Sequence, residues 1–402
     1  HGGPARLHGG GPVKLVITPA PLRGSVTPPP SKSQAHRCLI AAALAGPGSV
    51  IHNLADSQDI QATRRCMAEL KTEGTGLPRF DCGESGATLR FLLPIALALR
   101  GGGVFTGRGR LMERPQKPYF DLFAEKGIRY GLENGVLTVE GALPPGRYCL
   151  PGNVSSQFVT GLLYALPLLA GDSELVLTTP LESRGYVDMT LEALGQFGIR
   201  VTEETGRFLI PGGQQYQPCE VSVEADWSQA AFWIAAQCLG SAVDIQGLNP
   251  RSTQGDRVAS SWAQTLSRPG DVEIDLSGCP DLAPPLAAMA AVRRGDTHLA
   301  NAARLRIKES DRLSAIAGTL NALGGAVDER PDSLVVHGRE SLAGGAVDCC
   351  NDHRIAMMAA VAATRCQGPV TLLGAECVAK SYPNFWDHYR MLGGMTREYL
   401  GE

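Results

Sequence analysis

Six short polar segments carry most of the reactive side chains of this chain. They are Ser31-Lys32-Ser33-Gln34-Ala35-His36-Arg37, Glu84-Ser85-Gly86-Ala87-Thr88-Leu89-Arg90, Asn153-Val154-Ser155-Ser156-Gln157, Asp226-Trp227-Ser228-Gln229, Cys279-Pro280-Asp281-Leu282 and Asn351-Asp352-His353-Arg354. Each leads into an apolar run, where Ser, Asp and Asn serve as helix N-caps. Capping does not explain the cations. Arg37, Arg90, Arg312 and Arg354 fall in or near first turns, where the helix dipole makes a cation unfavourable by roughly 0.3–1 kcal/mol. Four such positions point to an expected anion, because helix N-termini and guanidinium forks together bind phosphate or carboxylate. Lys32, Arg114, Arg184, Lys308 and Lys380 bring the group to nine.

Other chemistries lack their residues. The chain has no G-x-x-x-x-G-K-[ST], no G-x-G-x-x-G and no H-E-x-x-H,. Gly83-Glu84-Ser85-Gly86-Ala87 lacks the last glycine of a nucleophile elbow, so Ser85 reads as a cap,. No carboxylate and histidine cluster has metal-ligand spacing. The inventory suits binding of small polyanions without metal or organic cofactor.

The elements that position these residues repeat. An Ala/Leu-rich run, then Gly, then a short alternating strand and a polar loop occurs six times, starting at Leu39, Phe91, Val159, Ala231, Leu286 and Ile355. The apolar runs predict buried helices capped by Gly. The alternating stretches predict half-buried strands. Val187–Leu194 and Leu313–Leu323 add helices between copies. Each unit is then roughly strand–helix–strand–helix–strand–strand, and six units suit two domains of three.

Composition sets the outer bounds. A chain of 402 residues calls for two or three domains,. Its 44% hydrophobic content, with no run of 18 apolar residues, excludes disorder and a membrane-spanning helix,. With 19% charged residues and a net charge of −3, neither nucleic acid nor membrane is an expected partner,. Eleven cysteines without C-x-x-C signal neither a disulfide framework nor zinc, and fit a reducing cytoplasm,. His1–Pro12 is Gly-rich and begins without Met, so a flexible N-terminal end is expected,.

Taken in order, Ser31-Lys32-Ser33…His36-Arg37, Gly86…Leu89-Arg90, Glu113-Arg114-Pro115, Ser155-Ser156-Gln157, Lys308-Glu309-Ser310-Asp311-Arg312, Asp352-His353-Arg354 and Lys380-Ser381-Tyr382-Pro383 form a specific set. With it the chain resembles the EPSP synthase family (3-phosphoshikimate 1-carboxyvinyltransferases) from about Lys14 to Tyr389. The resemblance implies an α/β fold of two similar domains, each of three βαβαββ repeats, an inside-out α/β barrel with the active site in the interdomain cleft. The first domain would span residues 24–223, and the second residues 13–23 plus 224–402. The implied reaction transfers the enolpyruvyl group of phosphoenolpyruvate to the 5-hydroxyl of shikimate 3-phosphate, releasing phosphate, in aromatic amino acid biosynthesis. It implies a cytoplasmic monomer with no cofactor and no metal.

The resemblance also implies roles. Asp281 would be the base toward the hydroxyl, and Glu309 the proton donor to the methylene carbon with Lys308 close by,. Lys32 would bridge both substrates, and His353 would join the catalytic group. Ser33, Arg37, Ser155, Ser156, Gln157, Ser183 and Tyr186, with Asp281 and Lys308, would hold shikimate 3-phosphate. Gly86, Arg90, Arg114, Gln157, Arg312, Arg354 and Lys380 would hold phosphoenolpyruvate.

Many family members read Asn-Ala-Gly-Thr where this chain has Glu84-Ser85-Gly86-Ala87. Glu84 should repel phosphoenolpyruvate unless it is paired, and Ala87 lies where competition by glyphosate is tuned. The related UDP-N-acetylglucosamine enolpyruvyl transferases usually carry a Cys shortly before the Arg-Pro of the mobile loop, and Gly107–Arg114 has none. A non-catalytic anion-binding protein on the same scaffold would have lost Asp281, Lys308 or Glu309, and all three are present.

Overall fold

A computed structural model describes residues 14–399, and the flexible end expected at His1–Pro12 lies outside them. The chain divides into two compact units. An N-proximal unit comprises Pro30–Glu224 with Thr253–Gly255, and a C-proximal unit takes the chain through Pro29, Ala225–Ser252 and everything from Asp256 on.

In the N-proximal unit the helices are α1 Lys32–Ala45, α2 Gln58–Leu70, α3 Gly86–Arg100, α4 Lys117–Lys126, α5 Ser156–Ala165 and α6 Arg184–Gln196. Three apolar runs of the repeat lie in α1, α3 and α5, and the strands after them are Val50–His52, Gly102–Thr106 and Ser173–Leu177. One sheet runs Arg79–Asp81, Gly102–Thr106, Val136–Glu140, Arg129–Glu133, and a second runs Arg147–Leu150, Ser173–Leu177, Arg207–Ile210, Thr202–Glu204. In each the first pair is parallel and the rest antiparallel. The third sheet is shorter: Val50–His52 pairs parallel with Glu220–Ser222. The apolar core lies between sheets and helices, with the Phe80 ring tilted against that of its register partner Phe105 at 4.9 Å between centroids.

The C-proximal unit repeats the plan. Its helices are α7 Trp227–Cys238, α8 Ala259–Leu266, α9 Ala283–Ala291, α10 Arg312–Ala322, α11 His353–Ala363 and α12 Phe385–Met391. Every residue of α9 and of α11 is buried, as expected of helices apolar on all sides,. Its sheets run Val272–Asp275, Asp296–Ala300, Leu334–His337, Ala326–Glu329 and Gly345–Asp348, Val370–Leu373, Lys14–Thr18, Met395–Tyr399. The strand Lys14–Thr18, from the start of the chain, thus completes the last repeat. Arg23–Val26 pairs parallel with Ala242–Ile245, so this unit keeps the chain past the boundary expected at Gly24.

Glycine caps the expected runs only in part. Gly46 and Gly101 end α1 and α3 with positive φ. α5 passes instead into a 3-10 turn at Leu166, α7 has Leu239 as its C-cap, one residue before Gly240, and α9 and α11 have Val292 and Thr364 as theirs. The last two runs are followed by Arg293-Arg294 and by Thr364-Arg365-Cys366 before their glycines, which displaces the turn.

Candidate active site

In the N-proximal unit the residues expected to face anions sit at or near helix starts. Ser31, Ser85 and Ser155 cap α1, α3 and α5 through their hydroxyls. Lys32 opens α1 and pairs with Asp59 at 2.8 Å. Arg37 lies one turn on, buried, its Nη1 donating to the Ser33 carbonyl at 2.8 Å and its Nε to Thr190 at 2.9 Å. Its guanidinium stands over the Phe91 and Tyr186 rings. Burial lowers its pKa, and no carboxylate contacts it among the described residues.

Arg90 is similar. It is 4% exposed, lies over the Phe158 ring at 4.5 Å, and donates to Gln157 at 3.1 Å and to the Pro115 carbonyl at 2.9 Å. Its buried Nε has no partner. Burial and the nearby Arg114 bring its pKa down to about 10. Arg114 rests on Gly86, where a Cβ would stand 2.1 Å from its Nη1. A side chain at the first position of α3 would displace the Arg114 guanidinium from this place. Two guanidinium groups with no carboxylate partner among the described residues, one of them buried, form a positive site that suits an anion,.

Ser183 precedes α6 with φ +53° and makes no capping bond. Ser156 is buried, and Tyr186 is 40% exposed. Arg184 departs from expectation. Counted among the nine anion-facing cations, it is instead held by Glu203 through both oxygens and by Asp188 at 3.0 Å. Its charge is matched locally. Glu84 is exposed, lies against Gly109, and forms no ion pair among the described residues.

In the C-proximal unit the cations meet carboxylates. Arg312, 1% exposed at the start of α10, donates from Nε to Asp352 at 3.0 Å, from Nη1 to Asp281 at 3.2 Å, and from Nη2 to Glu309 at 2.5 Å. The fork expected to face phosphoenolpyruvate is occupied by three carboxylates. Asp352, wholly buried, caps α11 through the Arg354 N–H and accepts from Ser310 at 2.8 Å. Asp281 lies 3.8 Å from both Lys308 and Arg354. Burial pushes its pKa up, but Arg354, Lys308 and Arg312 outweigh it and hold it at about 2. Glu309 is held well below the carboxylate range by its contact with His353, which with Arg312 prevails over burial. His353 contacts Ser381 through Nδ1 and Glu309 through Nε2 at 3.4 Å, and burial lowers its pKa. Arg354 donates to Ser228 at 2.8 Å, and Lys380 to the Asn351 carbonyl at 2.5 Å.

Glu309, Asp352 and His353 could each turn one ligand atom toward a metal. The Arg312 guanidinium already lies on both carboxylates, where a cation would stand.

The family model for EPSP synthase (3-phosphoshikimate 1-carboxyvinyltransferase) matches residues 16–389. The chain belongs to the EPSP synthase family. A 3-phosphoshikimate 1-carboxyvinyltransferase of Clostridium kluyveri is 45% identical, covering 96% of this chain and 98% of its own, and one of Clostridium perfringens is 44% identical over 96% and 99%. The solved EPSP synthase of Acinetobacter baumannii superposes with a TM-score of 0.83 over 96% of this chain and 100% of its own, at 24% identity. That likeness carries the α/β fold of the family. No helix among the described residues is long and apolar enough to cross a membrane.

Sequence reasoning missed several members of this EPSP synthase cluster. Asp226 and Asp256 adjoin Arg354 and Ser228, and burial raises the pKa of both, Asp256 to about 7. In the sequence Asp226, before Trp227-Ser228-Gln229, reads only as a helix cap. Asp352 also reads as a cap, and its hold on Arg312 spans 40 residues of sequence. A buried Asp followed by His-Arg, with Ser-Asp-Arg elsewhere, was the available signal.

Proposed function

We propose that this member of the EPSP synthase family transfers the enolpyruvyl group of phosphoenolpyruvate to the 5-hydroxyl of shikimate 3-phosphate, by addition and then elimination of phosphate. The observation that carries the reading is the pair of buried guanidinium groups, Arg37 and Arg90, without a carboxylate among the described residues. Burying a charge unpaired is too costly to persist without a partner, and the partner these forks fit is phosphate or carboxylate. Arg37 with Ser33, Ser155, Ser156, Gln157, Ser183 and Tyr186 takes shikimate 3-phosphate. Arg90 and Arg114 over Gly86, with Gln157, take phosphoenolpyruvate, and Lys32 serves both.

The C-proximal cluster supplies the proton steps. Asp281 is ionised and accepts the hydroxyl proton, while Glu309 and Lys308 serve protonation of the methylene carbon. Free of substrate, Glu309 is a carboxylate held down by His353 and Arg312. An incoming polyanion competes for Arg312, Arg354, Lys308 and Lys380, and weakening those pairs raises the pKa of Asp281 and Glu309. Substrate charge thus turns two weak bases into groups that can take and return a proton. The enzyme acts as a cytoplasmic monomer.

Phosphate release with both substrates, each omitted in turn, tests this. Release requiring both is expected. Release with UDP-N-acetylglucosamine in place of shikimate 3-phosphate assigns the chain to the related transferases, and binding without release makes it an anion-binding protein.

A further inference from the structure

We propose that a buried threonine chain in the N-proximal unit fixes the spacing of the anion-holding residues, with Thr63 and Thr190 as positioning residues. Neighbours His36 and Arg37 of α1 reach opposite ways. His36 Nδ1 meets Thr63 Oγ1 at 2.7 Å, Thr63 meets Thr88 Oγ1 at 2.7 Å, and the Thr88 hydroxyl donates to Ser85 at 2.7 Å. Arg37 Nε donates to Thr190 at 2.9 Å, Thr190 meets Thr160 at 2.8 Å, and the Thr190 hydroxyl donates to the Tyr186 carbonyl at 3.1 Å. The four threonines are 0% exposed and His36 is 2% exposed.

Counting protons orders the chain. Thr88 gives its single proton to Ser85, so Thr63 donates to Thr88 and must accept from an Nδ1–H of His36,. Thr190 gives its proton to Tyr186, so it accepts from both Arg37 and Thr160. Every hydroxyl in the line has a defined partner. Burial with Lys32 and Arg37 nearby lowers the His36 pKa to about 3, so the ring stays neutral.

The chain joins α3, α2, α1, α6 and α5. Four of these, with their caps, carry Lys32 and Ser33, Gly86 and Arg90, Ser155 to Gln157, and Ser183 with Tyr186. Valine would fill the same volume, but apolar packing is not directional. Hydrogen bonds between buried hydroxyls hold one distance and resist sliding of helix against helix. The Thr63 arm sets α3 against α1, and the Thr190 arm sets Arg37 against α5 and α6.

The kinetic part of the test rests on the proposed function. Thr63→Val, Thr190→Val and their Ser counterparts are compared in the full chain. Thr63→Val is expected to raise KM for phosphoenolpyruvate about tenfold, and Thr190→Val to do so for shikimate 3-phosphate, short of the ~100-fold a 1 Å misplacement can bring. The other KM should stay within about twofold, and Ser should restore each. Unchanged KM values, or equal rises that Ser does not rescue, overturn the proposal. If Thr63→Val does not fold, Thr88→Val takes its place with the same expectation. Should the parent not turn over these substrates, the functional reading falls while the chain is judged separately by ¹⁵N shifts of His36. Nδ1 protonated and unchanged from pH 5 to 9 supports it, and a titrating or Nε2-protonated ring overturns it.

Discussion

Asp352→Asn removes one charge from a fully buried site. Asp352 is 0% exposed and accepts four hydrogen bonds: two from Arg312, one from Ser310 and one from the Arg354 N–H. Asparagine can keep the cap through its carbonyl, but its amide then faces the donors of Arg312 and Ser310. Breaking a buried ion pair on one side is unfavourable by about 3–5 kcal/mol. Arg312 retains Asp281 and Glu309, which places the loss near 3 kcal/mol,. For a unit of this size each kcal/mol lowers Tm by roughly 2–4 °C, so the C-proximal transition should fall by about 6–12 °C in calorimetry. The second arm is Arg312→Met with Asp352→Asn. Both changes break the same pair, so the double variant should lose less than the sum of the losses in Asp352→Asn and Arg312→Met,. A single variant within about 1 kcal/mol of the parent, or losses that simply add in the double, would refute the reasoning.

Three further outcomes follow from the geometry. Gly86→Ala puts a methyl 2.1 Å from Arg114 Nη1. The exposed arginine moves aside, so KM for phosphoenolpyruvate should rise about tenfold, the worth of one charge-assisted hydrogen bond, with Tm unchanged. Glu84→Asn removes an unpaired carboxylate and should lower the same KM by roughly two- to fivefold at low salt, less at high salt; an unchanged or higher KM would count against it. Asp256 has its folded pKa raised from 3.8 to about 7, chiefly by burial and then by Asp281, so it contributes a loss of stability as pH rises between those values,. Asp256→Asn should escape that loss, with a Tm advantage over the parent that grows from pH 4 to 7 and then levels; an advantage that shrinks over that range would contradict it.

The repeat was legible because it rests on local pattern. Apolar runs starting at Leu39, Phe91, Val159, Ala231, Leu286 and Ile355 all lie in helices, since periodicity and burial act on neighbours in sequence. The positions of Arg37 and Arg90 were legible for the same reason: a cation in an early turn is locally unfavourable and asks for a cause. What was not legible depends on distant partners. Nothing near Arg184 marks Glu203, and nothing near Arg312 marks Asp281 and Asp352, which lie 31 and 40 residues away. Thr63, Thr88, Thr160 and Thr190 look like ordinary helix residues until the helices are packed.

The two units differ in how they carry charge. On the N-proximal side Arg37, Arg90 and Arg114 stand without carboxylates among the described residues, while on the C-proximal side Lys308, Arg312 and Arg354 stand against Asp281, Glu309 and Asp352. The first is a standing field, and the second is a balanced set whose members differ by where protons rest. Ionic strength weakens a standing field without moving protons. Acidity shifts protons while leaving guanidinium charge untouched. On the proposed roles of these residues, salt and pH would act as separate dials, one on the capture of substrate and the other on its conversion.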